Sequence, residues 1–217
     1  MNIIIDLDNT LFYNHVVDHV CALHSIPRGV KHDLSDMPPY ASEQCFAMFQ
    51  NTTIMGNLTP FANAYNVVKK MLDMGHNVFI VTARSIDLEM VTIAMVKKHL
   101  PKGVTVVMVG SNCKYDIYVK LKPDIVIDDH FDHIQQAKMA KVPHVVMVSN
   151  DITPYNHVHR ECVTNMGGTI VKNIAEFGEL FVKWQDYMDR VEYCHDVNML
   201  LSDFDGDDED NCGVEYE

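Results

Sequence analysis

The chain has 217 residues, with 17 Lys and Arg against 30 Asp and Glu and a formal net charge of −13. Its 47% hydrophobic and 22% charged residues are a globular composition, and its length suits one domain, or one domain with an insert. The acidity argues against a binder of long nucleic acid, which presents a basic face.

Eight acids and no base lie between Asp203 and Glu217, so residues 196–217 are read as an acidic, disordered tail. The six cysteines form no C-x-x-C pair, which fits reduced thiols and a cytoplasmic location. The first apolar run, Ile3 to Ile5, is interrupted at Asp6, so no signal peptide is read. No apolar run approaches the roughly 20 residues of a membrane helix, so no membrane partner is expected.

In chain order, a short β-branched strand is expected over Asn2 to Asp6 and a helix over Phe12 to His24. The stretch from Ser25 to Pro39 is broken by Pro27, Gly29, Pro38 and Pro39, and Ala41 to Gln50 reads as a short helix. Thr59-Pro60 is the pattern of an N-cap followed by Pro at the first helical position, so a helix is expected from there to Met74, stopping at Gly75. A regular alternation follows. Strands are expected at Asn77 to Thr82, Val104 to Val109, Ile125 to Asp128 and His144 to Val148. Helices are expected at Ile86 to His99, Lys114 to Leu121 and Phe131 to Ala140. A polar loop from Asn150 to Gly168 leads to a strand at Thr169 to Val171 and a helix over about Ile174 to Val191. Apolar strands alternating with helices predict an α/β, Rossmann-like parallel sheet with helices on both faces. The domain reading is a core of residues 1–12 and 59–195, with a small helical cap at 13–58 inserted after the first strand.

Ligands of such sheets bind beyond the C-terminal strand ends. There the chain places Asp6-Leu7-Asp8-Asn9-Thr10, then Thr82-Ala83-Arg84, then Asp128-Asp129. Asp6 and Asp8, two apart, project to one side of an extended segment. Carboxylates that close repel unless a cation lies between them. Oxygen ligands with Asp128 as a third carboxylate suit Mg2+, which keeps waters for a phosphate-bearing substrate.

The ordered set I-I-I-D-L-D-N-T-L, I-V-T-A-R and I-V-I-D-D, from residue 2 to about 148, resembles the motifs of the haloacid dehalogenase (HAD) superfamily, whose first is D-x-D-x-T. The insert and the G-H-N-V-F-I-V-T-A-R segment resemble its 5′-nucleotidase C-type, or deoxyribonucleotidase, branch. The resemblance implies a HAD-like fold and a Mg2+-dependent phosphomonoesterase, with Asp6 as nucleophile and Asp8 as general acid and then base. It implies a cation held by Asp6, the backbone carbonyl of Asp8, and Asp128. Asp129 either completes that set by orienting water or caps the next helix. Thr82, with Ala83, would meet the phosphoryl oxygens. The motif lysine is Lys114 or Lys120, and Lys114, opening its helix just after the third strand, is preferred. Arg84 either clamps a phosphate or pairs with Asp87 or Glu89.

Phe12, Tyr13, Tyr40, Phe46 and Phe49 offer stacking surface for a base or sugar, and core packing of a small helical cap accounts for most of them equally well. Among the 12 histidines, His130 is the candidate for supporting the acidic site. The expected partner is a small phosphorylated substrate, a nucleoside monophosphate, which makes the protein a 5′-nucleotidase in nucleotide metabolism. The alternatives are a polynucleotide 3′-phosphatase, acting on a nucleic-acid 3′-phosphate end with the same chemistry, and a receiver-like module that binds a phosphoryl group without turnover.

Overall fold

The structure, a computed structural model, describes residues 1–27, 34, 37–110, 113–150 and 154–187. The acidic tail, Gly29, Ser111 and Asn112 lie outside them.

Strand β1 is Asn2–Ile5. The insert follows, with β2 (Phe12–Tyr13), α1 (Val16–Leu23), α2 (Pro39–Phe49), α3 (Thr52–Met55) and β3 (Thr59–Pro60). Then come α4 (Ala64–Asp73), β4 (Asn77–Thr82), a 3-10 turn at Ile86–Leu88, α5 (Glu89–His99), β5 (Thr105–Met108) and α6 (Tyr115–Leu121). The chain continues through β6 (Ile125–Asp128), α7 (Phe131–Met139), β7 (His144–Val148), a 3-10 turn at Pro154–His159, α8 (Arg160–Asn165) and β8 (Thr169–Val171). Residues 174–187 are helical (α9). The chain divides into two compact units, Met1–Phe177 and Gly178–Glu217, and the described part of the second is helix.

Among the described residues six parallel strands form one sheet in the order β5-β4-β1-β6-β7-β8. Counted along the chain this is the doubly wound order 3-2-1-4-5-6, in which the connection reverses between β1 and β6 and opens a crevice beyond their C-terminal ends. The parallel strands are apolar on both faces, as burial on two sides requires. Ile4, Val81, Val126, Val145 and Met147 share one buried cluster with Tyr118 of α6, Ile134 and Ala137 of α7, and Val163 of α8. Ile3, Ile5 and Ile127, on the opposite parity, are also buried.

Several expected elements shift. Thr59-Pro60 does not start a helix: the pair forms β3, antiparallel to β2, with Phe12 opposite Pro60 and Tyr13 opposite Thr59. Proline lacks a donor, and a two-residue ribbon at the base of the insert accepts it where a central strand would not. Helix α4 begins five residues later, behind Asn63 at φ 67°. Its far end is as expected: Gly75, at φ 80°, donates to the Leu72 carbonyl at 3.0 Å, and His76 donates to that of Met71 at 3.1 Å. This is the left-handed cap that Gly adopts without a Cβ penalty.

Phe12 and Tyr13 lie in β2, so the first helix of the insert starts only at Val16. Helix α3 has no counterpart in the sequence reading; it rests on Asn51, whose Oδ1 accepts from the amides of Thr53 at 3.0 Å and Ile54 at 3.1 Å. The expected loop from Asn150 to Gly168 holds α8, which buries Val163.

Candidate active site

Register places the acids. Ile5 of β1 lies beside Ile127 of β6, so Asp6 and Asp128 are level one residue on, and the Asp6 amide still donates to the Ile127 carbonyl at 2.9 Å. Both share strand parity with Ile4 and Val126, the face covered by α6. From the start of that helix comes Lys114. Its backbone amide donates to Oε1 of Gln136 on α7 at 2.6 Å. Its fully buried ammonium lies 2.5 Å from Oδ1 of Asp6 and 2.8 Å from Oδ2 of Asp128. Lys120 is exposed on the same helix.

Asp129 joins this group: one oxygen each from Asp6, Asp128 and Asp129 lie within 4.8 Å of one another, and all three residues are buried. Helix α7 is capped by His130, so Asp129 is not its N-cap residue. Asn156 holds the Asp129 segment, donating from Nδ2 to the carbonyls of Asp129 and, at 3.1 Å, Val148.

Two buried carboxylates, Asp6 and Asp128, contact one buried lysine, with Asp129 alongside, and the electrostatics reflect that crowding. Burial pushes the Asp6 carboxyl up to about 7; Lys114 pulls it back, while Asp128 and Asp8 raise it further. Asp128 shares the burial, but Lys114 and His133 outweigh it and hold this carboxyl below the usual range. The Lys114 ammonium is likewise pulled down by burial, yet Asp128 and Asp6 carry it above its ordinary value. An oxygen-only set with more negative charge than its lysine can neutralise fits a hard divalent cation such as Mg2+. Asp6, Asp128 and Asp129 would hold it.

The Asp8 side chain goes elsewhere. Strand β1 ends at Ile5 and the chain turns: the Leu7 carbonyl accepts from the amides of Leu11 at 3.0 Å and Phe12 at 2.9 Å, and Asn9 sits at φ 59°. The extended-segment argument for Asp6 and Asp8 therefore does not apply. Asp8 instead meets Arg84, with Nε to Oδ2 at 2.8 Å and Nη2 to Oδ1 at 2.9 Å. Asn14 adds a bond from Nδ2 to Oδ1 at 3.0 Å. Arg84 thus pairs with neither Asp87 nor Glu89; its other bonds, from Nη1, reach the Met55 carbonyl at 2.9 Å and Thr92 Oγ1 at 3.1 Å. A guanidinium held by a carboxylate on one edge and by neutral oxygens at Nη1 is not arranged as a clamp for phosphate.

Thr82 ends β4 and is buried, its Oγ1 accepting from the Arg84 amide at 3.3 Å, with Ala83 half-buried between them. In the insert, Tyr40 and Phe46 are each 55% exposed on α2, and Phe49 is half-buried. Phe12 is fully buried, its ring edge-on to His99 at 5.9 Å, so it is core and offers no face to a ligand. Tyr13 bonds through its hydroxyl to Asp18 and is half-buried.

Three supporting residues escaped the sequence reading. His133 places Nδ1 3.0 Å from each oxygen of Asp128. His130, expected to support the site, does so through its backbone amide, 2.9 Å from Asp128 Oδ1, and its ring lies beside that of His133. Asn14 and Asn156 are the other two. The D-D-H-F-D-H spacing was the available signal for His133: three residues apart, His130 at the N-cap position of α7 and His133 in its first turn bring their rings together.

A doubly wound sheet with this insert and acids at its reversal point is the haloacid dehalogenase-like fold. No protein-family profile and no curated protein matches the chain. Solved structures do. A hydrolase from Pseudomonas syringae aligns with a TM-score of 0.57 at 13% identity, over 84% of this chain and 98% of that one. A haloacid dehalogenase-like family hydrolase from Streptococcus pneumoniae aligns at 0.54 and 12% identity, over 83% and 97%. A HAD family hydrolase from Deinococcus radiodurans R1, solved with bound phosphate and sodium, aligns at 0.54 and 13% identity, over 81% and 92%. Among the described residues no helix is long and apolar enough to cross a membrane.

Proposed function

We propose that this chain is a Mg2+-dependent phosphomonoesterase that works through a phosphorylated Asp6. The observation that carries the reading is the position of Lys114, buried between Asp6 and Asp128 at the crevice where the sheet order reverses, with Asp129 alongside. Fold likeness to HAD hydrolases, one of them with phosphate bound, supports it.

Asp6 attacks phosphorus as the bond to the leaving oxygen breaks, and Asp8 supplies that oxygen's proton. Asp8, now ionised, takes a proton from the water that attacks phosphorus, and Asp6 is released with inorganic phosphate. Lys114 keeps Asp6 beside Asp128 and neutralises part of the charge that would repel an incoming phosphate. Thr82 and the backbone amides after Asp6 donate to the phosphoryl oxygens. Mg2+, when bound, supplies the rest of that neutralisation.

The substrate in this reading is a nucleoside monophosphate, making the protein a cytoplasmic 5′-nucleotidase. The exposed rings of Tyr40 and Phe46 on the insert support a partner with a flat apolar face. Phosphate release is the test, across nucleoside 5′- and 3′-monophosphates, 3′-phosphorylated oligonucleotides and sugar phosphates, with Mg2+ and with EDTA. Turnover of 5′-monophosphates with Mg2+ alone is expected. A preference for 3′-phosphorylated oligonucleotides moves the substrate to a polynucleotide end. One phosphate per chain without turnover marks a receiver-like module and removes the enzyme reading.

A further inference from the structure

We propose that Arg84 is a positioning residue for proton transfer by Asp8, and that the exit of the insert sets its posture. The inference rests on the phosphomonoesterase reading and adds to it which oxygen of Asp8 exchanges the proton.

The Arg84 side chain is only 3% exposed. A guanidinium so buried is costly unless its N–H groups are matched. Four hydrogen bonds match four of its five N–H groups, and they divide by function. Nε and Nη2 form a two-point fork on Asp8, at 2.8 and 2.9 Å. Nη1 is tied back to two separate pieces of the fold, the Met55 carbonyl at 2.9 Å and Thr92 Oγ1 at 3.1 Å. A planar guanidinium fixed at Nη1 has its fork aimed by those two anchors.

The anchors are themselves constrained. Met55 is the last residue of α3, where carbonyls have no partner within the helix. Gly56 follows it, and a Cβ there would stand 2.8 Å from the Thr52 carbonyl oxygen and 3.2 Å from Val91 Cβ. Val91 precedes Thr92 on α5, so glycine lets the exit of the insert close onto the helix that carries the second anchor.

Lone pairs then select the reacting atom. Oδ1 of Asp8 accepts from both Arg84 Nη2 and Asn14 Nδ2, the latter at 3.0 Å, which fills its two acceptor sites. Oδ2 accepts only from Arg84 Nε among these donors and keeps one site. The proton delivered to the leaving oxygen, and later taken from water, is carried on Oδ2. Arg84 thus acts on the rate through where it holds Asp8.

The test uses the full chain with Mg2+ and a series of aryl phosphates whose leaving groups run from phenol to 2,4-dinitrophenol. A poor leaving group needs the proton and a good one does not. Arg84→Lys keeps the charge and loses the fork; it should cost about 100-fold on phenyl phosphate and less than about fivefold on dinitrophenyl phosphate. Gly56→Ala and Thr92→Val, which leave Arg84 in place, should steepen the leaving-group dependence in the same direction by smaller factors. In an Asp8→Asn background the Arg84→Lys effect should vanish. Equal losses across the series, or an undiminished effect without Asp8, would assign Arg84 a purely structural role and overturn the proposal. If Arg84→Lys fails to fold by circular dichroism, the other two variants decide on the same criterion. A wild-type protein that hydrolyses the series while no variant alters its slope sinks this inference alone; one that hydrolyses none of the series sinks the phosphomonoesterase reading with it.

Discussion

The ammonium of Lys114 lies 2.5 Å from Oδ1 of Asp6, across a sequence separation of 108 residues. The same ammonium reaches Asp128 at 2.8 Å, so one buried cation ties the ends of β1 and β6 to the start of α6. Removing it leaves buried carboxylates without a counter-charge. Lys114→Met should therefore cost about 3 to 5 kcal/mol of unfolding free energy, measured by urea denaturation in EDTA. Saturating Mg2+ should recover part of that loss, because the cation binds folded chain and replaces the missing charge. A variant as stable as wild type in EDTA would refute the bridging role.

Asp6 and Asp128 respond to pH with opposite signs. The folded-state carboxyl of Asp6 titrates at about 7, against 3.8 for the ordinary group. Between those values the fold holds a proton that the unfolded chain has released. Stability from this group is therefore lost as pH rises towards 7. Asp128 is held below the usual range, so its contribution persists above about 3.8 and is lost only on acidification. A divalent cation must displace the Asp6 proton to bind. The rise in Tm on adding Mg2+ should be clearly larger at pH 8 than at pH 5.5, by scanning fluorimetry against EDTA controls. An equal rise at both pH values would show that Asp6 takes no part in holding the cation.

Asp6→Asn keeps the shape of the side chain and removes both the nucleophile and a buried charge. Hydrolysis of an aryl phosphate should fall below detection, while the Tm in EDTA stays equal or rises. Retained turnover would remove Asp6 from the chemistry. A collapsed circular dichroism spectrum would contradict the expected tolerance of the isosteric amide.

His133 orients Asp128 from α7, with Nδ1 at 3.0 Å from both oxygens. An ionised carboxylate has no proton to give, so Nδ1 is the donor. Side chains that hold a metal ligand in place are worth roughly 10–100-fold in metal affinity. His133→Leu should weaken Mg2+ binding by that factor, as read by isothermal titration on the folded variant. An unchanged dissociation constant would leave His133 as packing alone.

Much of the site was legible because it depends on local rules. Asp6 and Asp128 end β-branched runs, and parallel strands bring their C-terminal ends to one edge. Lys114 was preferred to Lys120 because it opens α6 next to that edge, which is where the motif lysine of the resembled family stands. The partner of Arg84 was not legible. Asp87 and Glu89 were close in sequence and Asp8 was 76 residues away; only the turn after Asp6, which swings Asp8 out of line with β1, makes the distant pair. Phe12 could be read as stacking surface or as core, and the structure decides for core for a related reason. An aromatic residue at the mouth of an insert reads as ligand surface until the β2–β3 ribbon turns it inward. That ribbon, two residues on each strand, has no periodicity to detect.

By itself the sequence determined the α/β class, all six sheet strands to within a residue of each end, the helix stop at Gly75 and the presence of acids at two strand ends. These follow from side-chain periodicity, β-branching and the freedom of glycine, all properties of a few consecutive residues. The tertiary structure decided which charges meet. The lysine between Asp6 and Asp128, the arginine on Asp8 and the histidine on Asp128 join parts of the chain that no local propensity links, except where α7 places His133 five residues after its partner. An ion pair forms where burial makes an unmatched charge costly, and burial is set by how the sheet orders its strands and where the helices then lie.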